Sequence, residues 1–359
     1  MKRNFAHRSL PWLAGLAGIV MVAVLSVTLH PAIAHMPPHD PGMAFMAAGM
    51  LINKENISNV FISLKTTFLN AFGAAPSNWQ KIAMKVPSTS GQNDYAWLSK
   101  FPRMRAWIGE KAVKALSAFK YVIVNQDFEA TVSVDRNDIE DDNLGIYGPQ
   151  AQMAGESAAQ LPDEIVFAVV NGAMTTPCYD GQNFVDTDHP VRQADGTVLS
   201  VSNKGTAQLS VASLNAAQAC LGVADTTMMQ FTDDEGRPLG IIPDTLLVPP
   251  ALKQTANALM TTDRLEDGKP NPFKGAYTVV VDARLTSKTA WYLLDTKKPV
   301  KPFIYQERKA PVFVQQTDPH ADDVFNRREY KFGAEARAAG GYGFWQLCFG
   351  SDGSAPVVA

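Results

Sequence analysis

The stretch YGPQAQMAGESAAQLPDEIVFAVV, Tyr147 to Val170, decides how the rest of the chain is read. Its Ala, Gln, Met and Glu residues are good helix formers. Pro162 interrupts the run, which predicts a long helix kinked at that proline or two abutting helices. Asp163 and Glu164 then fall in the first turn of the second half, where the helix dipole favours negative charge. On the N-terminal side, residues 121–124 (YVIV) and 128–134 (FEATVSV) are β-rich, and Asn125-Gln126-Asp127 between them predicts a hairpin. Helical and strand-rich segments mixed along the chain read as a mixed α/β protein with two protruding polar arms.

Working outward, Ile57, Val60, Phe61, Leu64, Phe68 and Phe72 recur at steps of three and four, the signature of an amphipathic helix. It stops near Gly73 and cannot restart before Pro76. Ile82, Met84 and Val86 alternate, as do Tyr95 and Trp97. The polar run PSTSGQND (87–94) between them predicts a long β-hairpin with a mobile tip, either an ordinary surface hairpin or an arm that reaches a neighbouring subunit. Downstream, Ser213 is a candidate cap for an Ala-rich helix over 214–224. Residues 245–248 predict a buried strand, and Pro249-Pro250 open a helix over 251–260. Residues 265–275 form a polar loop, with strands at 277–281, 291–294, 303–305 and 312–314. The segments 329–337 and 340–347 predict a closing pair of strands around a tight turn.

The first 49 residues differ from the rest. Lys2, Arg3 and Arg8 precede an uncharged run from Leu10 to Leu29, and a small-x-small sequence ends at Ala34. That pattern reads as a signal peptide, or as an anchor, since the run is long enough to span a bilayer. A Pro/Gly-rich linker covers 36–49, and an ordered-looking sequence starts at Met50, the alternative working start. The whole chain of 359 residues carries 32 basic and 35 acidic groups, a formal charge of -3. Three of the basic residues and one acidic residue lie in the extension, leaving 29 against 34, or -5, for the body. An acidic body argues against a dedicated nucleic-acid binder.

Catalytic signatures are absent: there is no G-x-G-x-x-G, Walker loop, H-E-x-x-H or G-x-S-x-G. Four of six histidines lie in the extension, leaving His189 and His320. His320 sits among turn formers and is expected to be solvated. Cys178, near His189 in sequence, is the one conceivable nucleophile and makes a secreted or periplasmic hydrolase the alternative function. Paired carboxylates are too many for sequence to sort. Asp186, Asp188 and His189 resemble metal ligands, but ordinary turn chemistry accounts for them. The acidic run 135–142 (DRNDIEDD) lacks the glycine of a calcium loop at the right place and is read as a solvated, helix-capping stretch. Cys178, Cys220 and Cys348 form neither a disulfide framework nor a C-x-x-C pair. No catalytic, cofactor-binding or metal-ligating residue is expected, and no cofactor.

One resemblance orders these pieces. INKENISNVFISLKTTFLNAF (52–72), WQKIAMKVPSTSGQNDYAWLSKFPRMRAWIGEK (79–111), FEATVSVDRNDIEDDNLGIYGP (128–149), PDEIVFAVVNGA (162–173), CYDGQNFVDTDHPV (178–191) and REYKFGAEARAAGGYGFWQL (328–347) together resemble the Mu-like phage major head subunit family. The resemblance spans nearly all of 51–350 in order. It implies an α+β fold, the Hong Kong 97-type capsid fold: an N-terminal arm at 50–78, an extended loop at 79–111, a peripheral domain at 112–174 and 296–350, an axial domain at 175–295 and a tail at 351–359. The peripheral domain's spine helix would be the interrupted helix at 147–173. It implies a structural protein, not an enzyme, that self-assembles through pentamers and hexamers into an icosahedral shell around packaged DNA. A scaffold, a portal and a maturation protease are the implied partners. The implied location is the virion, with assembly in the host cytoplasm and no membrane contact for the body. Family members lack an export signal, so Met50 is the expected working start and residues 1–49 an upstream extension.

Overall fold

In a computed structural model of the chain, residues 54–99, 121–141, 144–192, 197–233 and 236–356 are described. Two mixed sheets organise them. The first is four-stranded, in the order β1 (Ala83–Pro87), β11 (Phe303–Gln316), β12 (Glu329–Tyr342), β4 (Gln126–Asp135). β1 runs parallel to β11, while β12 is antiparallel to both β11 and β4. The second sheet has the order β7 (Lys204–Ala207), β13 (Cys348–Ala355), β10 (Trp291–Leu294), β8 (Thr245–Val248), β9 (Thr278–Val281). β8 and β10 are buried along their whole length, as their uninterrupted TLLV and WYLL sequences require of central strands. Two small ladders remain: β2 (Gln92–Asp94) with β3 (Val122–Val124), and β5 (His189–Arg192) with β6 (Val198–Val201).

The long helix runs unbroken from Tyr147 to Asn171, with Pro162 inside it. Proline removes one N–H from the ladder, but continuity survives because the helix is held by packing along its length. Its first half packs against the helix Lys54–Ala74, so closely at Gly155 that a Cβ there would lie 2.4 Å from the Phe68 carbonyl oxygen. The 57/60/61/64/68 face of that first helix is buried as its periodicity predicts. Phe61 meets Tyr330 and Phe332 of β12 edge-on, with centroids 6.4 and 6.2 Å apart, and Phe68 meets Phe313 of β11 at 5.3 Å. Phe61, Phe68 and Phe332, all fully buried, each contribute roughly 1.5–3 kcal/mol of transfer free energy.

The C-terminal end of the long helix touches both sheets. The Tyr342 hydroxyl donates to the Val169 carbonyl at 2.9 Å, and the Tyr292 hydroxyl donates to the Val170 carbonyl at 3.3 Å. These carbonyls belong to the last turn, and that of Val170 also accepts from the Ala173 N–H at 3.1 Å. One residue from each sheet thus satisfies the helix end. Gly340 of β12 lies against Ile165 and Val169 with no room for a Cβ.

Several strand pairings depart from the sequence reading. The alternating segments around 82–86 and 95–97 do not form one hairpin. β1 joins β11, β2 joins β3, and Ala96–Ser99 is a 3-10 turn. β3 and β4 likewise do not pair with each other: β3 joins β2, and β4 joins β12 along its whole length. Residues 303–316 are a single strand rather than two, bent by irregular register between Glu307 and Val312. The segments 329–337 and 340–347, expected as a closing pair, instead give one strand, β12, running on to Tyr342, and the strand that follows it, β13, lies in the other sheet. The turn Trp345–Leu347 carries the chain between them, and Ser351–Ala355, expected in the tail, belong to β13. Local alternation names a strand correctly but holds no information on a partner two hundred residues away. The rest of the 79–111 loop reading, residues 100–111, and the extension 1–49 lie outside the described residues, as do 357–359. Among the described residues, no helix is long and apolar enough to cross a membrane.

Candidate functional site

The residues singled out for chemistry collect where the long helix hands the chain to the second sheet. After Gly172 a tight loop carries Cys178 and Asp180. The Cys178 N–H donates to the Gln182 carbonyl at 2.7 Å, and Gly181 takes φ +89°, a left-handed conformation that favours glycine. Asp180 Oδ1 caps the turn by accepting from the Gln182 N–H at 3.1 Å and also accepts from the Cys178 thiol at 3.1 Å. Its other oxygen, Oδ2, lies 2.7 Å from His189 Nδ1. His189 opens β5 with no solvent exposure and stacks on Trp345, centroids 4.0 Å apart and planes 8° apart.

Asn203 fixes the opposite side of the imidazole. Its Nδ2 donates to the carbonyls of Phe184, Trp345 and Cys348, at 2.9, 3.3 and 3.1 Å. The amide orientation is therefore set, and Oδ1 must be the acceptor. Oδ1 takes the Asp186 N–H at 2.8 Å and lies 3.2 Å from His189 Nε2. Asp180 and Asn203 were not assigned roles from the sequence. Asp180 is legible as an acid two residues after Cys178, whereas nothing local marks Asn203, whose partners lie as far as 145 residues away.

This arrangement does not make a nucleophile. Burial, and then the neighbouring Asp180 charge, push the Cys178 thiol far above its ordinary range. Its proton goes to Asp180 rather than to His189, and both imidazole nitrogens are engaged. The other candidates disperse. Burial works against ionisation of Asp186, but the Thr187 N–H and the Asn183 side-chain and backbone donors outweigh it, holding the carboxyl below its usual range. Asp186 is thus a turn residue, bound by Asn183 Nδ2 at 2.8 Å, while Asp188 and His320 are exposed. In the acidic run, Asp135 caps the short helix Arg136–Glu140 by accepting from the Asn137 N–H at 2.7 Å, as its sequence predicts.

With no reaction centre among the described residues, kinship carries the functional reading. The profile of the Mu-like prophage major head subunit gpT matches residues 57–212, 204–285 and 282–355. The chain belongs to this family. Within it, the chain is 33% identical to the major capsid protein of Escherichia phage Mu over 298 residues, 83% of this chain and 74% of that protein. It is 31% identical to the Mu-like prophage FluMu major head subunit of Haemophilus influenzae over 296 residues, 82% of this chain and 73% of that one. Among solved structures, it is similar to the subunit of the bacteriophage JBD30 procapsid, at 34% identity and TM-score 0.54, covering 84% of this chain and 76% of that one. The JBD30 capsid is similar at 31% identity and TM-score 0.51, covering 66% of this chain and 100% of that one. The fold is the α+β phage capsid fold that the ordered segments of the sequence imply.

Proposed function

We propose that the chain is the major capsid subunit of a Mu-like phage or prophage, assembling with copies of itself into a closed icosahedral head. What carries this reading is the likeness to a head-subunit family over nearly the whole body together with a capsid fold. In the proposed division, the first sheet and the long helix form the peripheral domain, with the helix as its spine. The second sheet and its helices, about residues 175–295 with β13, form the axial domain at the capsomer centre. Residues 50–78 serve as the N-terminal arm and 79–111 as the extended loop that laps a neighbour.

A scaffold, a portal and a maturation protease are the partners such a head needs. Packaged DNA is enclosed without sequence-specific contact, which an acidic body suits, since gripping phosphates takes a basic excess. Assembly would take place in the host cytoplasm, with Met50 as the working start. Sedimentation of the full chain and of the chain begun at Met50, each with its scaffold, tests this. Fast-sedimenting particles are expected from the Met50 chain, and only small monodisperse species would refute it. N-terminal sequencing of virion protein decides the start: chains beginning at His35 would mean export. The hydrolase alternative predicts turnover lost in Cys178→Ala, but the raised thiol and the occupied imidazole give it no support.

A further inference from the structure

We propose that Cys178, Asp180 and His189 form a binding site for one borderline divalent cation of the zinc class. The thiol sulfur, a carboxylate oxygen and an imidazole nitrogen of these residues all lie within 4.8 Å of one another. This mixed sulfur, nitrogen and oxygen set is one that zinc accepts and that magnesium or calcium does not favour.

The hydrogen bonding argues for a positive centre there. Because Asn203 is locked with Oδ1 towards the ring, His189 Nε2 carries its hydrogen and donates to it. That is the outer bond by which metal-ligating histidines are oriented, and it turns Nδ1 towards Asp180. Nδ1 and Asp180 Oδ2 then face each other at 2.7 Å, the spacing of a shared proton, and a metal bound beside the pair would replace that proton and draw the two atoms apart to the wider spacing of tetrahedral ligands. A proton would serve that pair alone. It would give no reason for a third donor, Cys178, to be held on the other oxygen of the same carboxylate. A divalent metal uses all three, with a solvent-supplied fourth ligand. Metal entry releases the thiol proton and any proton shared by Nδ1 and Oδ2, so two ligand anions balance the ion's charge. The Asp180 side chain, 10% exposed, gives the site its edge towards solvent. An ion there would staple the loop after the long helix to β5 and, through Asn203 and Trp345, to β13.

Cobalt(II) titration of the reduced full chain tests this, because cobalt reports its ligands optically. The expected result is one cobalt per chain with a thiolate-to-cobalt band in the near ultraviolet. The band should be displaced by zinc, lost in Cys178→Ser and retained in Cys220→Ser. Zinc should also raise the thermal midpoint of the wild type and leave that of Cys178→Ser unchanged. No thiolate band, or a band that survives in Cys178→Ser, overturns the proposal. Should Cys178→Ser fail to fold, the wild type decides. Zinc should then slow alkylation of Cys178, located by peptide mapping, and unchanged labelling overturns the site.

Discussion

Asp163 Oδ1 accepts the backbone N–H of Trp79 at 2.8 Å, across 84 residues of sequence, and that of Asn78 at the same distance. A fully buried carboxylate on the long helix thus closes the start of the short helix Trp79–Ile82, just before β1. Hydrogen bonds to a charged acceptor are worth roughly 1.5–3 kcal/mol each. Asp163→Ala leaves two N–H groups without this acceptor and should destabilise the unassembled subunit by about 3 kcal/mol in urea unfolding. Asp163→Asn keeps an acceptor oxygen and should cost less than half of that. Equal effects would mean the contact is not what holds the segment.

Gly155 predicts a steric effect. A Cβ there would sit 2.4 Å from the Phe68 carbonyl oxygen, which is backbone and cannot swing away. Gly155→Ala should therefore push the helix Lys54–Ala74 off the long helix. Limited proteolysis should cut within 54–74 faster in the variant, while cutting within the second sheet stays unchanged.

Arg328 is the single described non-glycine residue with positive φ, at 59°, where the helix Asp322–Arg327 turns into β12. Its N–H bonds the Val324 carbonyl at 3.1 Å and its carbonyl accepts from the Arg136 N–H at 2.8 Å, so the conformation is held from both sides. Arg328→Gly should be tolerated. Arg328→Val, β-branched in the left-handed region, should cost about 1–2 kcal/mol in the same unfolding assay.

Alkaline pH should weaken the fold. Burial pushes the thiols of Cys178, Cys220 and Cys348 upward, and pushes the hydroxyl of Tyr342 up to about 12, with Tyr121, Tyr292 and Tyr305 also raised. Groups whose folded values are raised contribute stability that is complete below their unfolded values. That stability is lost as pH rises towards the folded ones. Urea midpoints should hold to about pH 8 and fall above about pH 9, where unfolded thiols and then phenols ionise. At pH 8 the native chain should react slowly with a thiol reagent, and the unfolded chain should present all three cysteines.

The sequence was legible where structure is local. The 57–72 periodicity, the Ser213 cap, whose hydroxyl accepts from Ala216 N–H at 3.1 Å, and the fully buried 245–248 strand all match the structure. Pairings were not legible: β1 meets β11 some 220 residues away, and β4 pairs with β12 rather than with β3 as local turns suggest. Hydrophobic alternation fixes which face of a strand is buried but is silent on its neighbour. Cys178 and His189 were visible as residues of interest. Their meaning depends on Asn203, Trp345 and the fold that brings them together.

Electron microscopy of particles formed by the chain with its scaffold tests the central claim most directly. The prediction is a closed icosahedral shell whose subunit density shows the helix Tyr147–Asn171 packed on the β1–β11–β12–β4 sheet, with the second sheet towards the capsomer centre. The absence of closed shells under every assembly condition, scaffold included, would contradict it.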